Sequence, residues 1–502
     1  MPRQIALLIC CGFVWFLLRC ERRQVKNLSW RLWLPTIWLL ITSSRSIDVW
    51  LGVTGGSRTS GGVLDPIFQT CLVCIGITSA FNKRVNWANF LRENGLLVLL
   101  MGYMLISTVW SDMPGRSLRS WIKEVVAVLM AMMVLSELQP RQALQTVLRR
   151  FVYIVIPFSA LLVKYFPDLG IVYRRWDGGV QWIGVAIHKS SLGQLCAISA
   201  FFLVWTLVQR LRSPQTKGGR RQMAAEGFVL LLTVWLMRGP SDWASSATSL
   251  VALSAGLLLY FALSWVRKHR LQFGAGAWMS VTACIIFFGF STPIVGGSTI
   301  IGASSALGRD STLTGRTEIW AGIVPDFFNH PILGHGFSGF WTPARTSANQ
   351  VGQAHNGYLE VSLELGLAGL LLNGILLLSW TRKARRTLGR DFQWGSLCSC
   401  FLFMLLIVNI AESSINSLTT PTMAVVLLLS LSVSPGKRRR LPRESHGARE
   451  KHQVPDDRKG NMLSSPAPVP APTGHIDNLC LGVLSCLDYV GRRVQPHVAG
   501  CA

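Results

Sequence analysis

Residues 315–366 (GRTEIWAGIVPDFFNHPILGHGFSGFWTPARTSANQVGQAHNGYLEVSLELG) gather the side chains best suited to chemistry. Three of the nine histidines are here (His330, His335, His355), with Arg316, Arg345, Glu318, Asp326, Glu360 and Glu364. A neutral imidazole takes a proton near pH 7, and a guanidinium offers a fixed fork of donors to phosphate or carboxylate. Asn356 is a good helix N-cap for the apolar run that begins near Tyr358, so His355 should stand just outside a helix N-terminus. That end carries partial positive charge, which favours an anion nearby and a neutral imidazole. His355 is therefore a candidate general base, although a histidine in a loop is more commonly solvated or satisfied by the core. Glu360 and Glu364 lie on one helical face, and a carboxylate as deep as Glu364 is expected to be functional or paired.

Other loops add candidates. In SDMPGRSLRSWIKE, Arg116, Arg119 and Lys123 adjoin an apolar run; they either snorkel to headgroups or face a cavity and bind an anion. In VYRRWDGGVQWIGVAIHKSSLG, Arg174, Arg175, His188 and Lys189 suit a lipid headgroup or a pyrophosphate. The plainer reading is a loop with solvated charges. In RGPSDWASSATSL, Arg238 precedes Ser245, Ser246, Thr248 and Ser249, which either line a polar crevice or pack one helix on another.

The elements that must position these residues follow from composition. Half of the 502 residues are hydrophobic and only 15% are charged, against roughly 25% charged in soluble domains. The pattern predicts an all-α integral membrane protein. Thirteen apolar runs (4–18, 32–44, 63–81, 94–110, 121–138, 151–166, 191–208, 227–237, 248–266, 275–295, 358–380, 392–410 and 418–433) predict 11 to 13 transmembrane helices, 32–44 and 227–237 being the shortest. The N-terminal run resembles a signal peptide but lacks a small-residue cleavage site, so a retained membrane segment is expected. Lysine and arginine are about four times denser in alternate loops, starting with 19–31, than in the opposite set, which makes the first set cytoplasmic. This places loop 296–357 outside the cytoplasmic membrane. The same asymmetry accounts for the net charge of +25 without nucleic acid. Of the twelve cysteines, most fall in apolar runs, and Cys71 and Cys74 have no second pair, so packing is expected rather than metal or redox chemistry. Residues 1–433 form the membrane domain; 434–502, basic and Pro/Ala-rich, is expected to be a disordered cytoplasmic tail.

GRTEIW, HPILGHGFSGFW and AHNGYLEVSLELGLAGLLL together resemble the signature of the bacterial O-antigen ligase/polymerase family, especially its exopolysaccharide polymerase-like members. WSDMPGRSLRSWIKE, HKSSLG and NIAESSI resemble further segments of that family, so the likeness runs from about residue 95 to 433. It implies a many-helix glycosyltransferase resembling the glycosyltransferase C fold. The implied donor is a glycan on undecaprenyl pyrophosphate at the outer face of the inner membrane, and the reaction inverts the anomeric centre without metal or other cofactor. The absence of a DxD motif agrees. By position, His355 matches the base that activates the acceptor hydroxyl, and Arg316 the arginine on the donor pyrophosphate. Arg116, Arg119, His188, Lys189, Arg238, Glu318 and Glu364 are candidate contacts to pyrophosphate or sugar. Ala247 stands where family members often carry a basic residue, and Ser190 where Asn is common, so Arg238 is a candidate replacement cation.

Three functions fit. A polymerase would join lipid-linked repeat units into a surface or exported polysaccharide, working beside a flippase and a chain-length regulator. A ligase would pass the glycan to lipid A-core or another acceptor. A transporter or flippase for a lipid-linked or anionic substrate would also explain outward cations, but it should show paired broken helices in two halves, and no internal repeat is present.

Overall fold

The computed structural model describes residues 1–24, 28–51, 64–82, 86–173, 178–212, 217–240, 246–270, 274–295 and 315–433. Arg174, Arg175, Ser245 and the 434–502 tail lie outside the described residues. The architecture is all-α apart from one antiparallel hairpin, Ile171–Tyr173 against Val180–Trp182, with Ile171 opposite Trp182.

Every predicted apolar run is helical. The helices are Arg3–Gln24, Trp33–Thr42, Leu64–Asn82, Gly95–Ile106, Pro114–Leu135, Pro140–Tyr165, Lys189–Leu211, Lys217–Arg238, Ala247–Lys268, Ala275–Ile294, Gly357–Arg390, Phe392–Val408 and Pro421–Ser430. Among the described residues, six are long and apolar enough to cross a membrane, or seven if the bent pair Trp87–Glu93 and Gly95–Val109 counts as one span. This is a multi-pass membrane protein, but length and composition qualify fewer spans than the 11 to 13 expected. Trp33–Thr42 has ten residues, about 15 Å of helix, half the hydrocarbon thickness. Pro114–Leu135 carries Arg116, Arg119, Lys123 and Glu124, and Lys217–Arg238 carries Arg220, Arg221 and Glu226.

Of the six long apolar helices, Pro140–Tyr165 is the most enclosed, with 89% of its most apolar stretch buried, against 22% for Ala275–Ile294 and 28% for Ala247–Lys268. Apolar side chains on the outer helices, such as Phe287, Leu258 and Phe261, are exposed, as lipid-facing surface should be. Gly357–Arg390 packs against both Phe392–Val408 and Ala275–Ile294.

The Gly357–Arg390 helix is broken at Gly366, whose φ of 65° and ψ of −170° are not helical. The turn HPILGHG fills the break. Leu367 and Ala368 donate their N–H groups to Pro331 and Ile332 (2.8 and 3.2 Å), and His335 donates its own to Leu363 (3.0 Å). The Tyr103 hydroxyl donates to the Leu365 carbonyl at 2.9 Å. Backbone at membrane depth thus finds partners in protein. A Cβ on Gly366 would lie 2.1 Å from the Ile332 carbonyl oxygen.

The polar stretch is itself folded. Within it, Arg316–Asn329 and Pro343–Asn349 are helical. Trp320, Ile323, Phe327, Phe340, Trp341, Ala354, Leu359 and Leu363 form a second apolar core. Its aromatics therefore pack inward, except Phe328, which is exposed.

Gly366→Ala should lower thermal stability by about 1–3 kcal/mol from the positive-φ, extended backbone alone, and more from the clash. Gly374→Ala, where a Cβ meets nothing, should stay within about 1 kcal/mol of the parent chain. Melting of both proteins in detergent, followed by size-exclusion recovery, checks the contrast.

Candidate functional site

His355 sits where the sequence places it. Asn356 caps the helix by accepting the Leu359 N–H at 2.9 Å, and its amide donates to the carbonyls of Gly289 (2.8 Å) and Ile410 (3.0 Å). Ala354, two residues before the cap, is held by both backbone groups. Ala354 donates its N–H to Glu360 Oε2 at 2.5 Å, and its carbonyl accepts from Trp320 Nε1 at 2.9 Å. Between these anchors His355 adopts a φ of 51°, an uncommon conformation for a residue other than glycine. Such backbone persists where the surroundings over-determine it.

Glu412 joins the two residues expected to carry chemistry. Its Oε1 accepts from an Arg316 guanidinium nitrogen at 2.9 Å, and its Oε2 lies 3.6 Å from His355 Nδ1. Gln353 Nε2 is 3.4 Å from the same Nδ1. His355 Nε2 therefore points away from Glu412 and has no hydrogen-bond partner among the described residues. His188 stands close enough to His355 and Glu412 for both to act on its charge. Packing around its ring is the main cause holding its pKa below the usual 6.5, followed by His355, while Glu412 opposes. Arg316, His355, Glu412 and His188 thus converge from four separate segments.

Glu360 organises the ground beneath them. Besides Ala354, it accepts from Trp341 Nε1 at 2.6 Å and from the Ser413 hydroxyl at 3.2 Å. Arg116 donates to the Trp341 carbonyl at 2.8 Å and acts electrostatically on Glu364. Glu364 is buried beside Glu360 and Glu124, and its Oε2 has no hydrogen-bond partner among the described residues. Glu124 accepts from Ser417 Oγ (2.6 Å) and Leu418 N–H (2.5 Å), fixing the loop that carries Glu412.

The remaining candidates are not brought into this group. Arg119 and Glu318 are exposed. Lys189 lines a small hollow with Trp182, Gly239 and Pro240, and the exposed Arg238 adjoins it. Ser246 and Ser249 face the helix carrying Gly193, where a Cβ would meet them at 2.7–3.1 Å, so the small residues serve close packing. Among the described residues, no group of three or more His, Cys, Asp or Glu side chains could hold a metal ion.

Three features escape sequence reasoning. Glu412 carried a signal, the Glu-Ser of NIAESSI, but nothing in the sequence pairs it with His355. Glu360 was visible only as the neighbour of Glu364. The third is a polar staple: Arg345 lies 2.5 Å from Asp112 and 3.7 Å from Asp326, and His335 Nδ1 lies 3.0 Å from Asp112. It ties the 107–113 turn to the polar stretch, and Asp112 N–H also donates to the His335 carbonyl at 3.1 Å.

Residues 243–374 match the family model for O-antigen ligase, a window that contains Arg316, His355, Glu360 and Glu364. The chain resembles the O-antigen ligase/polymerase family. It is also 24% identical over 305 residues to the exopolysaccharide production protein ExoQ of Rhizobium meliloti (strain 1021), a match covering 58% of this chain and 65% of that protein. The chain thus spans just under two thirds of that relative's length. Glu412, His188 and Arg116 fall outside the window of the O-antigen ligase family model.

His335 gives this region a pH dependence. Burial, then Arg345, holds its pKa below the usual 6.5, against the pull of Asp112 and the Asp326 carbonyl. The opened loop binds a proton on falling below pH 6.5 and the closed loop resists it, so local stability is lost as pH falls. Amide exchange across 331–337 should therefore speed up between pH 7.5 and 5.5 beyond its intrinsic rate, and His335→Asn should remove that excess. An equal excess in His335→Asn would assign the effect to another group.

Proposed function

We propose that this chain is a membrane glycosyltransferase that polymerises glycan units carried on undecaprenyl pyrophosphate, at the outer face of the inner membrane. The single observation that carries the reading is Glu412 bridging Arg316 and His355. A sugar transferred from a lipid pyrophosphate needs a base for the acceptor hydroxyl and fixed cations for the departing pyrophosphate. In this reading the Gln353 amide gives way, Nδ1–H turns to Glu412, and His355 Nε2 carries the lone pair that takes the hydroxyl proton. Glu412 holds that tautomer and stabilises the imidazolium, as the third member of other nucleophile-activating groups does. The new glycosidic bond forms on the anomeric carbon as its bond to the pyrophosphate oxygen breaks. The electron pair leaves with the pyrophosphate, toward Arg316, with His188 beside it and Arg116 as a further candidate contact.

In this reading the anomeric configuration inverts in one displacement and no metal is required. The polymerase is favoured by the similarity to a protein named for exopolysaccharide production. The ligase, which passes the glycan to lipid A-core or another acceptor, is favoured by the name of the family model. A flippase that delivers the donor and a chain-length regulator would be its partners. Residues 1–433 would be the catalytic membrane domain, with 434–502 a cytoplasmic tail.

Purified protein given a lipid pyrophosphate oligosaccharide in EDTA should extend it. His355→Ala should cut turnover by about 10²–10⁴-fold, and Arg316→Ala and Glu412→Gln should each lower it strongly, with all three proteins inserted normally. Long polymer unchanged in both His355→Ala and Arg316→Ala would sink the assignment. Transfer only to a separate acceptor would mean a ligase, and absence of turnover would favour transport.

A further inference from the structure

At the other end of the Gly357–Arg390 helix from His355 lies a cavity of about 180 Å³. Arg141, Lys383, Trp380 and Trp394 line it, with Leu135 and Leu428 among its apolar walls. Five helices meet here: the starts of Pro140–Tyr165 and Phe392–Val408, and the ends of Pro114–Leu135, Gly357–Arg390 and Pro421–Ser430.

The charges in this cavity do not cancel by contact. Arg141 is paired with Asp391 at 2.5 Å, and its guanidinium lies 5.6 Å from the Trp394 ring centre. Lys383 is only partly exposed, and its ammonium donates to the Ser430 carbonyl and the Ser432 hydroxyl. Both partners are neutral oxygens. Glu93 acts on Lys383 at longer range, without an ion pair to it. An ammonium drawn out of water beside an apolar wall is costly unless an anion joins it. An ammonium has three donors, and two are engaged here. With Arg141 matched by Asp391, the contacts leave about one positive charge.

We propose that this cavity seats the phosphodiester headgroup of an anionic phospholipid. Lys383 and Arg141 take the phosphate oxygens, and Trp380 and Trp394 flank the glycerol esters, the depth at which tryptophan gathers in membrane proteins. A phosphodiester carries one negative charge and so matches the residual charge, whereas a phosphate monoester would bring close to two. Leucine and tryptophan walls suit a ligand with an apolar tail and offer nothing to free phosphate. Arg141 grips phosphate in the planar, two-donor manner of a guanidinium, and Lys383 acts as a point charge.

The test is a melting experiment on the full chain in neutral detergent, with phosphatidylglycerol, phosphatidylcholine or inorganic phosphate added. Phosphatidylglycerol should raise the midpoint by roughly 3 °C at about a hundredfold excess over its dissociation constant, and the other two should not. Lys383→Met removes the helix-end bonds to Ser430 and Ser432 as well as the charge. The readout is therefore the lipid-induced increment within each protein, not its absolute midpoint. The increment should vanish in Lys383→Met, persist in Lys383→Arg and shrink in Arg141→Gln. Where Lys383→Met does not fold, Arg141→Gln decides alone. An equal increment from phosphatidylcholine or inorganic phosphate overturns the proposal, as does a full phosphatidylglycerol increment in Lys383→Met or Arg141→Gln. No increment in the parent chain overturns it too.

Discussion

The structure depends on one interruption, the backbone break at Gly366. A broken helix in an apolar interior leaves peptide groups that water cannot reach, and each such group costs several kcal/mol. Here the HPILGHG turn supplies the partners: Pro331 and Ile332 accept, and His335 donates to Leu363. The polar stretch is therefore not a flap laid over a finished bundle. Removing it would strand the backbone of the helix it leans on. Gly334 and Gly366 meet backbone to backbone, where a side chain on either would collide. The half-helix Gly357–Leu365 is positioned from both ends, by the Asn356 cap and by the filled break. His355 inherits that rigidity.

Two carboxylates then divide the work by their surroundings. Glu360 is buried and meets only neutral donors: an indole, a peptide N–H and a hydroxyl. These three come from the Trp341 turn, the strap before His355 and the loop that bears Glu412. Removing such a carboxylate would leave three polar groups buried without partners. Glu412 meets a guanidinium and an imidazole instead, so its charge can respond to events at either. The first carboxylate fixes geometry, and the second couples two groups that chemistry needs.

Much of the helical framework was legible because burial in lipid makes apolar runs continuous, and each run from Arg3–Gln24 to Pro421–Ser430 is helical. The number of spans was less legible. Hydropathy does not reveal that Trp33–Thr42 stops after ten residues, nor that charge persists through the first turns of Pro114–Leu135. His355 was legible because capping is local: Asn356 announces the helix, and the helix places its neighbour. Glu412 was not, because its partners lie 96 residues away at Arg316 and in another segment at His355. The packing of Phe392–Val408 and of Arg316–Asn329 against Gly357–Arg390 brings them together. The places of the aromatic residues in the polar stretch were not legible for a similar reason. Indole and phenyl rings suit a bilayer surface, a sugar face and a protein core alike, and periodicity in a short helix such as Arg316–Asn329 does not choose among them.

The charge of the whole chain and the charge of the site also part company. The chain carries +25, yet Arg316 lies against Glu412, and Arg345 against Asp112 and Asp326. Partly buried cations need such partners because the interior screens them poorly. Most of the other cations among the described residues sit at loops and helix ends, where water and headgroups solvate them. A pyrophosphate arriving beside Arg316 would meet a paired cation, so its binding must compete with or rearrange the bond to Glu412. That exchange would free Glu412 toward His355 as negative charge accumulates on the leaving group. In the proposed reaction, the pairing that neutralises the site would thus link departure of the donor to the proton taken from the acceptor.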